Sequence, residues 1–181
     1  MVRYHKPVMQ ALTFWKLVTV DQSNLLEQFI DLLTKNQIRF CVVGGQAVNA
    51  YVEPVVSLDL DIVVATEQVE LLESLVRDDY GVKVFPHSLN ITLPGSDLRV
   101  QIQTDPRYAV YPDRSTLKNI LGMLLPVARV EDVLRGKIWA AQDPQRRGSK
   151  RQKDLADISR LIETYPELRS LVPDDILVRL L

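Results

Sequence analysis

The sequence predicts an α+β fold, a mixed β-sheet with flanking helices over which a C-terminal helical lobe closes. Two observations carry this reading. Short apolar runs of strand length, rich in β-branched residues, recur up to Thr104 with helical segments between the early ones. From Pro126 onward the pattern turns helical and is broken only at Pro166 and Pro173. The expected organisation is a core sheet unit over 1–125, with an N-terminal arm over 1–20, and a helical lobe over 126–181 packed on it as one compact unit.

Taken in order, Ser23 is placed to cap a helix whose Leu25, Leu26, Phe29, Ile30, Leu32 and Leu33 form its apolar face. A strand over 38–43 follows and stops at Gly44-Gly45, where a helix starts near Gln46. In the next run, 57–64, side chains alternate, so Asp59 and Asp61 share one face while Leu58, Leu60 and Ile62 share the other. Thr66 caps a helix over 67–77, and Gly81 opens a short strand to Phe85. Extended runs over 89–93 and 98–104 flank Pro94-Gly95-Ser96-Asp97, which reads as the turn of a hairpin. Loops around Pro106 and Pro112 lead to a helix over 130–142, with Val133, Leu134, Ile138 and Ala141 inward. Ser149 then caps a helix with Leu155, Ile158, Leu161 and Ile162 on its core face.

The chemistry concentrates between residues 42 and 64. Glycines after a buried strand let a phosphate approach the backbone, and the free N–H groups of the following helix, near Gln46, favour an anion. Asp59 and Asp61, about 7 Å apart along one strand, can turn towards the same cation. Magnesium, or manganese, takes hard oxygen ligands from one or two carboxylates, with phosphates and water completing its shell. A Gly-Gly pair alone is a turn, and Asp-x-Asp alone is the solvent face of an edge strand. Together, in this order and with a helix between, they sketch a site for a metal-bound nucleoside triphosphate, with Ser57 and Gln46 as further nucleotide-binding candidates.

The order hydrophobic strand, Gly-Gly, helix, then Asp-x-Asp flanked by aliphatics resembles the DNA polymerase beta-like nucleotidyltransferase superfamily. The later segments Glu131-Asp132-Val133-Leu134-Arg135-Gly136-Lys137 and Lys153-Asp154-Leu155-Ala156-Asp157 resemble the lysine and Lys-Asp-x-x-Asp motifs of AbiEii-like bacterial nucleotidyltransferase toxins. The resemblance implies the nucleotidyltransferase fold and magnesium-dependent transfer of a nucleoside monophosphate to an acceptor hydroxyl. That hydroxyl would sit on RNA such as tRNA, or on a protein. A toxin–antitoxin or defence setting and a cognate antitoxin are implied with it. Asp59 and Asp61 would hold the metal, and Lys137 and Asp154 would join them in catalysis.

One departure stands out. Family members usually carry a third carboxylate on a neighbouring strand, and in the run 98–104 the corresponding position holds Gln101. An amide oxygen ligates a metal but brings no charge and accepts no proton as a base. Asp97 and Asp105, at the ends of that run, are the alternatives. The alternative function is therefore a catalytically weak or silent protein of the same fold that binds nucleotide or a partner.

The segment 146–153 holds Arg146, Arg147, Lys150, Arg151 and Lys153 without an acid. Arg147, Lys150 and Lys153 are candidates for neutralising the triphosphate or tracking a nucleic acid, the other reading being a solvated loop and helix turn. Lys137 either snorkels past its apolar stripe or contacts the β- or γ-phosphate. Asp154 and Asp157, three apart on a helix, either orient a basic or hydroxyl group at the site or form surface ion pairs, Lys153 with Asp157 among them.

Global composition fits this picture. The 181 residues are 46% hydrophobic, enough for a sound core, and a net charge of −1 argues against a dedicated nucleic-acid coat protein. Cys41 is the single cysteine and sits in a core strand, which excludes an internal disulfide and points to a reducing compartment. Without a long apolar stretch or the apolar core of a signal peptide, the expectation is a soluble cytoplasmic protein with no membrane partner.

Overall fold

Phe40-Cys41-Val42-Val43 is buried along its whole length, as a strand in the middle of a sheet covered on both faces must be. The computed structural model describes residues 11–18, 21 and 23–180, so more than half of the predicted N-terminal arm over 1–20 lies outside the described residues. Two helices, α1 (Ala11–Val18) and α2 (Leu25–Lys35), precede β1 (Phe40–Val43), α3 (Gly44–Asn49) and β2 (Asp59–Val64). Next come α4 (Val69–Val76), β3 (Gly81–Phe85), β4 (Ser88–Thr92), β5 (Arg99–Gln103), β6 (Thr116–Ile120) and β7 (Met123–Val127). The chain ends in α5 (Val130–Gln142), α6 (Gly148–Thr164) and α7 (Asp174–Leu177).

One seven-stranded sheet forms in the order β3-β4-β5-β2-β1-β7-β6. It is mixed, as the sequence predicts: β1 runs antiparallel to β2 and parallel to β7, and β2 runs parallel to β5. The central strands present Leu60, Ile62, Val100 and Ile102 to the core, where each is fully buried. At about 1.5–3 kcal/mol for each such side chain removed from water, this layer anchors the sheet that carries the site. No helix of the described residues is long and apolar enough to cross a membrane.

Several local expectations need correction. Ser23 does not cap α2: Asp21 Oδ1 accepts from the Leu25 N–H at 3.0 Å, and the Ser23 hydroxyl donates to that same oxygen at 3.2 Å. Thr66 opens a 3-10 turn ahead of α4 and makes no side-chain cap. Leu58 lies ahead of β2 and is exposed, so the alternation begins only at Asp59. The hairpin of β6 and β7 is absent from the sequence reading, because Leu117 and Leu124 face solvent and Pro126 interrupts the ladder pattern. The arm is not loose where it is described, since Trp15 of α1 is buried and its indole N–H donates to the Ser57 carbonyl at 2.6 Å.

Burial in β1, with a smaller contribution from the charge of Asp132, pushes the Cys41 thiol up to about 12. At pH 8 a thiol reagent is therefore expected to label the native protein at least about 10³-fold more slowly than the chain in denaturant. Rapid labelling of the folded protein would show that β1 is not the packed centre of the sheet.

Candidate active site

Antiparallel pairing sets Val43 opposite Asp61, so the turn after β1 meets the middle of β2. Gly44 adopts a φ of +64°, and a Cβ on it would lie 2.8 Å from Asp61 Cγ. A Cβ on Gly45 would lie 2.6 Å from Ser57 Oγ. The glycine pair is thus required twice over, for the turn itself and for the carboxylate and hydroxyl packed against it. The helix begins at Gly44 rather than near Gln46, which changes the role of that residue. Gln46 is buried and its amide donates to the Ser57 carbonyl at 2.9 Å, so it ties the preceding loop to α3 instead of facing the cleft.

Asp59 and Asp61 share one face of β2, and β5 sets Arg99 beside the first and Gln101 beside the second. Arg99 Nη2 donates to Asp59 Oδ2 at 2.9 Å, and Lys150 Nζ lies 3.9 Å from the same oxygen. Burial raises the Asp61 carboxyl above its ordinary range; the charge of Lys137 opposes the rise and that of Asp59 adds to it. Neither alternative third acid joins them. Asp97 is exposed, and Asp105 holds the Arg107 guanidinium at 2.7 Å. Among the described residues no group of three or more His, Cys, Asp or Glu side chains is arranged to hold a metal. Two carboxylates with an amide oxygen alongside fit a magnesium or manganese ion whose shell is completed by phosphate and water.

Across the cleft, α5 and α6 are joined by buried charge. Lys137 is 7% exposed, and its Nζ lies 3.2 Å from Asp154 Oδ1 and 2.7 Å from Asp157 Oδ2. Asp154 also binds Arg146, and Asp157 binds Arg160 at 2.8 Å. The two aspartates therefore orient a basic group, and Arg160 takes the place expected for Lys153 beside Asp157. Lys137 does not snorkel to solvent. Its ammonium donates a hydrogen bond to Asp154 and pairs by charge with Asp157, so not all of its three N–H donors are used within the protein. Ser149 is not the cap of α6, which begins at Gly148 with Arg147 at its N-cap and no side-chain cap.

These groups line one cleft of about 700 Å³, a volume typical of small-molecule sites. Gly44, Gly45, Ser57, Asp59, Asp61 and Gln101 come to it from the sheet side, and Lys137, Lys150, Lys153 and Asp154 from the helices. Arg147 is exposed and lies off this lining. Sequence reasoning missed Arg99, although alternation in the run 98–104 puts it on the same face as Gln101. It also missed an aromatic wall formed by Tyr108 and Trp139, which no motif marked.

A family model described as "Nucleotidyl transferase AbiEii toxin, Type IV TA system" matches residues 25–181. No curated protein matches the chain. Among solved structures, the antibiotic-resistance factor ANT(2'')-Ia in solution superposes with a TM-score of 0.58 at 14% identity, over 83% of this chain and 90% of that one. The lincosamide antibiotic adenylyltransferase LnuA, bound to lincomycin, gives 0.54 at 13% identity over 79% of this chain and 99% of that one. At these identities the likeness is one of fold, and the fold is that of nucleotidyltransferases.

Gly44→Ala is expected to cost about 1–2 kcal/mol or more in urea unfolding, since alanine pays for the left-handed backbone and its methyl collides with Asp61. Full stability in that variant would mean that the turn relaxes freely. Because the folded state holds the Asp61 proton more tightly than the unfolded chain does, ionising Asp61 costs stability above its raised pKa. That cost fades as pH falls towards the ordinary carboxylate range. Asp61→Asn should therefore melt higher than the wild type at pH 7 in the absence of divalent metal, with the gap closing on acidification. A lower melting temperature at pH 7 would refute this reading of the buried charge.

Proposed function

We propose that this chain, which belongs to the AbiEii nucleotidyl transferase toxin family, moves a nucleoside monophosphate from a triphosphate to an acceptor hydroxyl with the help of magnesium or manganese. The observation that carries the reading is the corner where the Gly44 turn meets Asp61, with Asp59 on the same face and Lys137, Lys150 and Lys153 lining the same cleft.

Asp59 and Asp61 would hold the metal, which when bound supplies the positive charge that orders the triphosphate and offsets the charge developing on pyrophosphate. Gly45 lets phosphate oxygens approach the backbone, and Lys150 and Lys153 bind them as point charges. An N–H of Lys137 not taken by Asp154 donates to a phosphate oxygen, while Asp154 and Asp157 fix the position of the ammonium. The acceptor oxygen attacks the α-phosphorus in line as the bond to the bridging oxygen breaks and pyrophosphate departs. The acceptor's proton passes to water, since Gln101 offers no base. Rate enhancement comes mainly from positioning and electrostatics.

Arg147, exposed beyond the cleft, and Lys150 at its rim support a polyanionic acceptor, RNA such as tRNA, over a protein hydroxyl. The family description supports a toxin role and a cognate antitoxin as partner, and the single buried Cys41 supports a reducing compartment such as the cytoplasm. The unit over 1–125 would supply the glycines and metal-binding aspartates, and the lobe over 126–181 the lysines. Strand β7 runs across that boundary and ties the two together.

The reading is tested by incubating the protein with each of four α-labelled nucleoside triphosphates, total RNA and magnesium or manganese. Transfer is expected in the wild type and a loss of at least about 10³-fold in Asp59→Ala and Asp61→Ala. Transfer that survives in either variant overturns the mechanism. Metal-dependent triphosphate binding with no transfer to RNA or protein would make Gln101 decisive and leave a silent binder.

A further inference from the structure

Beyond β5 the chain enters a short 3-10 segment, Pro106–Tyr108, whose first turn is capped by Asp105 accepting from the Arg107 backbone N–H at 2.9 Å. The same carboxylate grips one edge of the Arg107 guanidinium. Nε lies 3.1 and 3.0 Å from its two oxygens, and Nη2 lies 2.7 Å from Oδ2. The guanidinium lies over the indole ring of Trp139 from α5, with Cζ 4.8 Å from the ring centroid. Tyr108 stands edge-on to that indole at 5.5 Å and 86°, and a Cβ on Gly136 would lie only 3.4 Å from the Tyr108 ring. The aromatic backing is therefore seated directly on α5.

This cluster is fixed but not covered. The Arg107 side chain is 54% exposed, whereas the Asp105 side chain that holds it is 13% exposed. Arg107, Tyr108 and Trp139 line the same cleft as Asp59 and Asp61. Lys150 and Lys153 already supply charge for phosphates, and the charge of Arg107 is neutralised by its carboxylate. What Arg107 adds is a planar, weakly hydrated group that is held beside an indole, is more than half exposed and lines the cleft. Guanidinium planes of this kind stack on nucleobases, and an immobilised one loses little entropy in doing so.

We propose that Arg107, clamped by Asp105 and backed by Trp139, is the surface on which the nucleobase of the incoming triphosphate stacks. This rests on the transfer function proposed above and extends it to the base. Stacking reads the face of a ring and not its hydrogen-bonding edge, so the subsite strengthens binding of all four nucleotides, purines most.

The test is calorimetric titration of the full chain, in magnesium, with each nucleoside triphosphate and with inorganic tripolyphosphate, which has no base. Arg107→Lys keeps the charge and removes the plane. It is expected to weaken the nucleoside triphosphates about tenfold and to leave tripolyphosphate within about twofold. Asp105→Asn loosens the clamp and should give a smaller loss with the same selectivity. If Arg107→Lys weakens both ligand types equally, or neither, the subsite is wrong while the transfer function stands. Wild-type protein that binds tripolyphosphate as tightly as any nucleotide has no base subsite at all. Wild-type protein that binds neither ligand overturns the transfer function and the subsite together.

Discussion

The charge on Asp61 is the constraint from which most of the site follows. A carboxylate in the middle of a sheet is costly unless it has room and a counter-charge. Room comes from Gly44, where any side chain would strike it, and the first counter-charge comes from Lys137. Lys137 is itself buried, so it needs the carboxylates of Asp154 and Asp157, and each of those draws in an arginine, Arg146 and Arg160. Charge thus alternates outward from the sheet until it reaches solvent. The chain of pairs also explains why the helical lobe sits where it does, since α5 and α6 each contribute members. Losing one internal member would strand a buried charge, a loss that typically costs about 3–5 kcal/mol.

Much of this arrangement is legible in the sequence because it is local. The strand, the glycine pair and Asp-x-Asp lie within one supersecondary unit, and a period of two assigns Asp59 and Asp61 to one face without further information. Lys137 on its helix and the three-residue spacing of Asp154 and Asp157 are equally local. What joins them is not: the contact of Lys137 with both aspartates depends on how two helices pack. Spacing alone therefore does not decide whether those acids face the site or solvent. Gln46 and Ser149 were misplaced for a shared reason, because each helix starts at a glycine before them and moves them inside the first turn. The hairpin β6–β7 was hidden by sheet-edge chemistry, with exposed leucines and a proline where an interior strand would alternate.

The replacement of a third acid by Gln101 has a consistent electrostatic logic. Register puts Arg99 beside Asp59 and Gln101 beside Asp61, so the strand next to the Asp-x-Asp brings one positive charge and no negative one. With Arg99 and Lys150 already near Asp59, this donor set offers divalent ions less negative charge than three clustered carboxylates would. On the proposed function, Gln101 supplies no base, so activation of the acceptor oxygen would depend mainly on orientation. A general base contributes about 10²- to 10⁴-fold, while correct placement of the reactants contributes about 7–11 kcal/mol. Loss of the base therefore removes the smaller share of the catalytic power. On the proposed function, such a site would transfer slowly and leave the larger share to whatever holds the nucleotide and acceptor in line, so specificity for the acceptor and rate would rise and fall together.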